Sequence, residues 1–223
     1  MKYQLTAPPY LLAQLATRLA LTAQTLQYSL CTPPSEQSDA DTPNLIFQAD
    51  FFHNPIKNSA SIDVFVLPSP LSSMHGFMLA AGGNHAALAE AAPILDALSP
   101  IASGWLHAGD YGSASFFHQL WQILIGAHAD SLLPIWENMR APNSGFQINH
   151  PDLVNQLSSL MAQQQLLTQS LASCSQLFLA EHPPQIFTAY HPLQKQLLSQ
   201  DDTQKPSPAH EIATLLSSFK INP

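Results

Sequence analysis

The chain has 223 residues, of which 46% are hydrophobic and only 10% are charged, and this composition allows a sizeable apolar core in one or two small domains. Seven basic and fifteen acidic residues give a formal net charge of −8, which argues against nucleic acid or an anionic membrane as the main partner. The two cysteines, Cys31 and Cys174, lack metal spacing, and the N-terminus lacks a signal-peptide pattern, so we expect a cytoplasmic protein.

The N-terminal residues predict a strand, a helix and a second strand. Lys2–Thr6 has the composition of a strand, and Leu26–Cys31 forms the second one. Between them a helix is expected from about Tyr10 to Ala23, opened by Pro8-Pro9, because proline in the first turn lacks only an N–H that would be unpaired anyway. Dinucleotide-binding domains begin with this order of elements.

The α/β pattern continues after a polar, proline-rich loop at 32–43. The elements expected next are strands at Asn44–Phe52, 62–67 and 76–81, a helix at His85–Leu98 and a short edge strand at Trp105–Ala108.

From Ser113 onward the sequence predicts helices. The first is apolar nearly all round and should kink or end at Pro134, and its polar residues favour a buried core helix over a membrane span. A helix opened by Pro151 should end at Pro183-Pro184, and its seam consists of Leu153, Leu157, Leu160, Gln164, Leu167, Leu171, Cys174 and Phe178. A helix interrupted by Pro192 should follow, and a last helix from Ser207-Pro208 has an apolar face of Ile212, Leu215, Leu216 and Phe219. Core packing is the first interpretation of these stripes, and a dimer seam at 153–178 is the alternative.

The segment from Ile62 to Asp130 carries a strand led by an aspartate, a turn at Gly76, the pair Gly82-Gly83, and a loop with Gly109 and Gly112 before a long helix. This layout resembles the middle of the 6-phosphogluconate dehydrogenase and 3-hydroxyisobutyrate dehydrogenase superfamily. The resemblance implies an α/β plus all-α protein: an abridged Rossmann-like unit at 1–110, then a helical domain at 111–223 like the C-terminal domain of 6-phosphogluconate dehydrogenase.

The positions that carry the chemistry of that superfamily hold other residues here. The catalytic lysine position is His118, the asparagine position is Gln122, and the Ser-Gly-Gly substrate loop reads Leu67-Pro68-Ser69. The three glycines of the cofactor loop are replaced by Ala7, Pro9 and Leu12, which removes the turn, the close approach of the backbone to a pyrophosphate and the tight helix packing. We therefore expect no nicotinamide cofactor, because the chain departs from the superfamily's cofactor loop at all three glycines; NAD or NADP is expected only if the chain is an oxidoreductase.

Ser115, His118 and Gln122 share one helix face, because residues three or four apart are neighbours on a helix. Together with Ser69 they form the expected remnant cleft. His118 could be a packed groove histidine, a ligand in a residual pocket or an acid–base catalyst, and the first interpretation is favoured since so many other parts are missing together. The prolines around Ser69 either close the cleft or shape an apolar pocket lined by Phe65, Phe77 and Trp105.

A metal site is not predicted. His107 and Asp110 precede the helix and His118 could approach them, but the sequence has no HxxxH, HExxH or CxxC pair.

We therefore expect a non-catalytic 6-phosphogluconate dehydrogenase-like protein with a binding or interaction role, because the superfamily's catalytic residues are replaced. The resemblance implies a homodimer. One alternative is an NAD(P)-dependent oxidoreductase acting on a hydroxy acid or sugar acid, with His118 as acid–base group and Gln122 orienting the substrate. The other is a sensor that binds a small acid in the remnant cleft without reacting.

Overall fold

The computed structural model describes residues 2–22, 26–33, 43–49, 61–67, 69–139, 150–197 and 205–218. Its elements in chain order are β1 (Lys2–Thr6), α1 (Pro9–Leu21), β2 (Gln27–Cys31), β3 (Asn44–Phe47), β4 (Ser61–Leu67), α2 (Ser72–His75), β5 (Met78–Gly82), α3 (His85–Leu98), β6 (Leu106–Gly109), α4 (Ser113–Met139), α5 (His150–Glu181), α6 (Pro192–Leu197) and α7 (Pro208–Ser217).

The strands form one mostly parallel sheet in the order β2-β1-β3-β4-β5-β6. Neighbouring strands run parallel except for the antiparallel pair β4 and β5, in which Phe65 lies opposite Ala80. The helices α4 to α7 follow the sheet in sequence. The predicted fold class, an abridged Rossmann-like α/β unit followed by a helical region, is confirmed.

The strand order reverses between β1 and β3, because β2 pairs with one side of β1 and β3 with the other. In open α/β sheets, ligands bind in the crevice at the carboxyl ends of the strands at such a switch point. In this chain the switch-point crevice lies where β1 ends at Thr6 and β3 ends at Phe47.

The core of the α/β part lies between the sheet and the helices α1 and α3. Leu11, Leu15 and Leu19 of α1 are four residues apart, so they lie along one helix face, and all three are buried. They belong to a cluster with Leu5, Leu45, Ile62, Val64, Leu88, Ile94 and Leu95. Burial of an aliphatic side chain contributes roughly 1.5–3 kcal/mol each, so this cluster fixes the sheet beneath the crevice.

Most elements lie where the sequence predicts them, including α3 and the edge strand β6, but three expectations are corrected. The helix α4 does not end at Pro134 but continues to Met139, and a kink at this proline stays a prediction. Pro192 opens α6 and does not interrupt a helix, since the missing N–H of proline is harmless in a first turn. Ile212 and Leu215 of α7 are exposed, whereas the smaller Ala209 and Ala213 are buried. The predicted loop at 141–145 and residues 50–52 lie outside the described residues.

Contacts divide the chain into two compact units. One contains Met1–His118 with Pro183–Glu211, and the other contains Gln119–His182 with Ile212–Pro223. This division groups residues 183–211 with the sheet, which differs from the predicted segments 1–110 and 111–223. In the second unit α5 buries Cys174 and Phe178 near its C-terminal end, while Leu160 and Met161 of the same helix are exposed.

None of the helices in the described part of the chain has both the length and the apolarity needed to cross a bilayer.

Candidate functional site

The switch-point crevice begins at the N-terminus of α1. Pro8 is the N-cap residue and makes no side-chain cap, and its carbonyl accepts the N–H groups of Leu11 and Leu12. Pro9, at the first helical position, has no N–H to offer, and Ala7 is fully buried with its N–H donated to Cys31. Dinucleotide phosphates are normally held by free N–H groups at this helix end. The residues present therefore do not fit a pyrophosphate.

The same crevice is bridged by two side chains of the chain itself. The Tyr10 hydroxyl of α1 donates a hydrogen bond to Gln48 Oε1 at the end of β3. Gln48 is nearly buried, its Nε2 donates to the Val66 carbonyl at 3.3 Å, and its backbone N–H donates to Val64. Its φ of 51° lies in the left-handed region, which is uncommon for a residue other than glycine. Three hydrogen bonds and a constrained backbone thus hold Gln48 across the place where a ligand would enter.

His118 lies beside this crevice on α4. Its ring is half-buried, with Nδ1 3.4 Å from the Ala49 carbonyl oxygen and its centroid 6.1 Å from that of Phe65. Gln122, one turn further along the helix, is exposed. The structure therefore places His118 against the loop that follows β3, next to the residues that bridge the crevice.

Ser115 shares a helix face with His118 and Gln122, and it is hydrogen-bonded to a buried carboxylate. Asp63 of β4 accepts hydrogen bonds from the Gly112 N–H at 2.9 Å, the Ser115 N–H at 2.6 Å and the Ser115 hydroxyl at 2.9 Å. Burial raises the pKa of Asp63 to about 6, and these three hydrogen bonds act in the opposite direction. Asp63 thus caps the N-terminus of α4, where a negative charge is favourable, and sets the direction of the helix that carries His118.

Gly82 allows the close approach on which this cap depends. A Cβ atom at Gly82 would collide with Asp63 Oδ1 and would lie 2.8 Å from the Asp110 carbonyl oxygen. At Gly83 the nearest atom to such a Cβ would be Ile62 Cγ1, at 3.3 Å. Of the two glycines, Gly82 is the one that the geometry requires.

Ser69 lies apart from these groups in the described contacts. It is exposed, and its carbonyl accepts the Ser72 N–H at the start of α2. The alternative of an apolar pocket formed by Phe65, Phe77 and Trp105 is not supported, because Phe77 and Trp105 are buried in the core cluster, to which Phe65 does not belong. Phe65 contacts His118, Phe77 is fully buried in the core, and Trp105 stacks on Tyr190. Pro68 lies outside the described residues.

His107 is buried within an aromatic pocket, and Asp110 is exposed on the loop that follows. The ring of His107 packs 4.6 Å from Phe187 and 5.5 Å from His85, centroid to centroid. Within the residues that the structure describes, no group of three or more His, Cys, Asp or Glu side chains could hold a metal ion. The arrangement of these histidines is one of ring packing.

Sequence reasoning missed Tyr10, Gln48 and the capping role of Asp63. Tyr10 and Gln48 are 38 residues apart, and nothing in either segment signals their pairing. Asp63 had a usable signal, since an aspartate in an apolar strand must find partners when it is buried.

Neither a protein-family model nor a curated protein matches this chain. Among solved structures it is similar to the 3-hydroxyisobutyrate dehydrogenase of Salmonella typhimurium, with 12% identity, 96% of this chain and 100% of that chain covered, and a TM-score of 0.42. It is also similar to the Mycobacterium tuberculosis 3-hydroxyisobutyrate dehydrogenase solved with L-serine, with 11% identity, coverage of 96% and 99%, and a TM-score of 0.40. An imine reductase from Myxococcus stipitatus in complex with NAD+ matches with 12% identity, coverage of 96% and 98%, and a TM-score of 0.36.

Proposed function

We propose that this chain is a non-catalytic protein of hydroxyacid dehydrogenase type, which acts through binding or interaction and uses no nicotinamide cofactor. The observation that carries this proposal is the Tyr10–Gln48 hydrogen bond across the switch-point crevice. A dinucleotide at that crevice would have to break this bond and would then meet a helix end that begins Pro8-Pro9.

The side chains of the expected remnant cleft support the same conclusion. The Ser115 hydroxyl is buried and donates to Asp63, so its proton is already committed to another group of the chain. His118 packs against Phe65 and the Ala49 carbonyl. Hydride transfer needs a bound cofactor, a positioned substrate and an acid–base group together, and only the last could be supplied here, by His118.

Thermal melting with NAD, NADP and 6-phosphogluconate, added singly and in pairs, tests this function. A ligand that binds the native state at 100 times its Kd stabilises that state by about 2.7 kcal/mol, which raises Tm measurably. We expect no change in Tm with any of them, and a dinucleotide-binding dehydrogenase melted in parallel serves as the positive control. A saturable increase with a dinucleotide would revive the oxidoreductase, and one with 6-phosphogluconate alone would favour a receptor for small acids.

The variants Gln48→Ala and Tyr10→Phe separate the two obstacles to a cofactor. Both remove the bridge and leave Pro8 and Pro9 in place. If the α1 N-terminus excludes the pyrophosphate by itself, neither variant gains an increase in Tm with NAD or NADP. A gain in either variant would show that the side-chain bridge is the main obstacle.

We further propose a cytoplasmic homodimer formed through the helical part. The dimer is supported by large apolar side chains that are exposed on α5 and α7: Leu160, Met161, Leu166, Ile212 and Leu215. Sedimentation equilibrium gives the mass in solution. A monomer at micromolar concentration would contradict the dimer and leave the non-catalytic function untouched.

A further inference from the structure

A segment from the C-terminal half of the chain lies over the edge of the sheet. Phe187–Gln194, named here the strap, belongs to the same compact unit as β6 and α3. It contacts the sheet through Phe187, whose ring packs 4.6 Å from that of His107. It contacts α3 through the Thr188 carbonyl, which lies 2.7 Å from His85 Nε2.

Gln194 attaches the end of the strap to the backbone of β6. Its Nε2 donates to the His107 carbonyl at 2.8 Å, and its Oε1 accepts the His107 N–H at 3.0 Å. The side-chain amide thus takes both hydrogen bonds that a further strand would make with this residue. Edge strands with unpaired N–H and C=O groups are sites of pairing with other chains, so the strap covers such a site.

The His107 side chain lies beneath the strap with one nitrogen unpaired. It is 3% exposed, and its Nε2 lies 3.3 Å from the Gly83 carbonyl oxygen. Its Nδ1 is buried and makes no hydrogen bond of ordinary geometry. A neutral ring with its proton on Nε2 suits this pocket, whereas the charged ring would place a second, buried N–H at Nδ1, which makes no hydrogen bond of ordinary geometry.

His191 repeats this arrangement within the strap itself. It is 5% exposed, and its Nε2 is buried without a hydrogen-bond partner. Its ring packs edge-on against Trp105 at 4.3 Å and against Tyr190 at 4.8 Å. Two histidines on the two sides of one interface are therefore both suited to the neutral state.

We propose that the strap is an acid-released cover of the β6 edge, which lies in place while His107 and His191 are neutral and lifts when they take up protons. Lifting gives each imidazolium access to water and exposes the N–H and C=O of His107 for pairing with another strand.

The titratable groups around this interface favour the neutral histidines, and so favour release of the strap at low pH. Burial, and then the positive charge of His85, lower the pKa of His107 to about 4, while the backbone at Gly83 and Gly109 acts in the opposite direction. Burial also lowers the pKa of His191, and Asp96 of α3 opposes this change. The Asp96 carboxylate already accepts the Trp105 ring N–H at 2.9 Å and the Ser103 N–H at 2.8 Å.

The remaining neighbours do not reverse the direction in which the pKa values of His107 and His191 change. From α6 the strap presents the uncharged amide of Gln194, and the next residue, Lys195, is exposed. A histidine whose pKa is lower in the covered state stabilises that state above the pKa of the released state, about 6.5. The strap is therefore expected to loosen as the pH falls from about 6.5 towards 4, by up to about tenfold in its equilibrium constant for each pH unit and each histidine.

Hydrogen exchange of the full chain, followed by mass spectrometry of its peptides and corrected for the intrinsic effect of pH, tests the proposal. We expect peptides of the strap and of β6 to lose protection between about pH 6.5 and 4, while peptides of β1 and α1 keep theirs. His107→Gln retains a donor for Gly83 but cannot be charged, so its pH dependence should be weaker. The double variant with His191→Gln should show almost none.

His182→Phe is the matched control, because His182 also stacks on a phenylalanine, Phe178, but lies outside the strap and the β6 edge. It should retain the wild-type pH dependence. The proposal is overturned if strap exchange does not depend on pH, if the histidine variants at 107 and 191 behave like wild type, or if all peptides lose protection together. His107→Phe, which fills the same pocket against Phe187, provides a second neutral variant should His107→Gln fold poorly.

Discussion

Asp63 and His107 are both buried titratable groups of the same compact unit, but their hydrogen bonding differs. The Asp63 carboxylate accepts three hydrogen bonds from the first turn of α4 and the loop before it. The His107 ring has one nitrogen near a carbonyl and one without a partner. A fully bonded polar group fixes the elements around it, whereas a partly bonded one tolerates only one protonation state. We therefore expect Asp63 to hold the N-terminus of α4 in place, whereas the strap should cover β6 only while His107 is neutral.

The two groups also respond to pH in opposite directions. Burial favours the neutral form of each, so it raises the pKa of Asp63 to about 6 and lowers that of His107 to about 4. Asp63 therefore contributes stability that is present at low pH and is lost as the pH rises towards 6. His107 contributes stability that is present above its unfolded pKa of about 6.5 and is lost as the pH falls towards 4.

Among the single changes predicted below, Asp63→Asn should lower the free energy of unfolding the most. The amide can accept through one atom only, and its NH₂ group would face N–H donors in a buried site. We expect the free energy of unfolding to fall by about 3 kcal/mol near pH 4.5, measured by urea denaturation. Because wild-type Asp63 itself loses stability as it ionises, the difference between wild type and variant should shrink by about 2 kcal/mol by pH 7.5.

Asp110→Asn is the control for that experiment, since Asp110 precedes the same helix but is exposed. It should change the free energy of unfolding by less than about 0.5 kcal/mol at either pH. A difference for Asp63→Asn that stays constant with pH would mean that Asp63 has an ordinary pKa in the folded protein.

Gly82→Ala should have the next largest effect, because the added methyl group collides with the Asp63 carboxylate and the Asp110 carbonyl. We expect a loss of about 1–3 kcal/mol in the free energy of unfolding. The neighbouring change Gly83→Ala should cost less than about 1 kcal/mol, since only the flexible Ile62 side chain has to move. Both changes restrict the unfolded chain equally, so the comparison cancels that contribution. Equal losses would show that the cap does not depend on close approach.

The sequence was sufficient to predict the elements whose signals are local. The strand Lys2–Thr6, the helix His85–Leu98 and the proline-opened α1 all follow from apolar periodicity and end signals within each segment. Pro192 was interpreted wrongly because proline breaks a helix interior but is harmless in a first turn, and the residue alone does not show which of the two places it occupies. For the same reason the end of α4 at Pro134 was not predictable, since the helix continues to Met139. The apolar face of α7 was misplaced because periodicity identifies a face but not what covers it.

The candidate site was predictable only in part. The replacements at Ala7, Pro9 and Leu12 could be identified in the sequence, and they already argued against a pyrophosphate. The bridge that closes the crevice could not, since Tyr10 and Gln48 meet only when β1 and β3 become neighbours in the sheet. Gln194 and His107 are further apart still, by 87 residues. Contacts of this kind depend on topology and have no local signal.

Gln194→Ala should have the smallest effect on overall stability and the most local one. It leaves the N–H and C=O of His107 without their partner, and a buried group in that state costs about 1–3 kcal/mol. The strap can avoid this cost by lifting into water, so the loss in the free energy of unfolding cannot exceed the free energy that holds the strap in place, and we expect about 1 kcal/mol. Hydrogen exchange at the His107 peptide should increase much more than at α1. Gln196→Ala, an exposed change on the same helix, should leave both measurements as they are, and if it matched Gln194→Ala, the amide of Gln194 would not be what holds the strap.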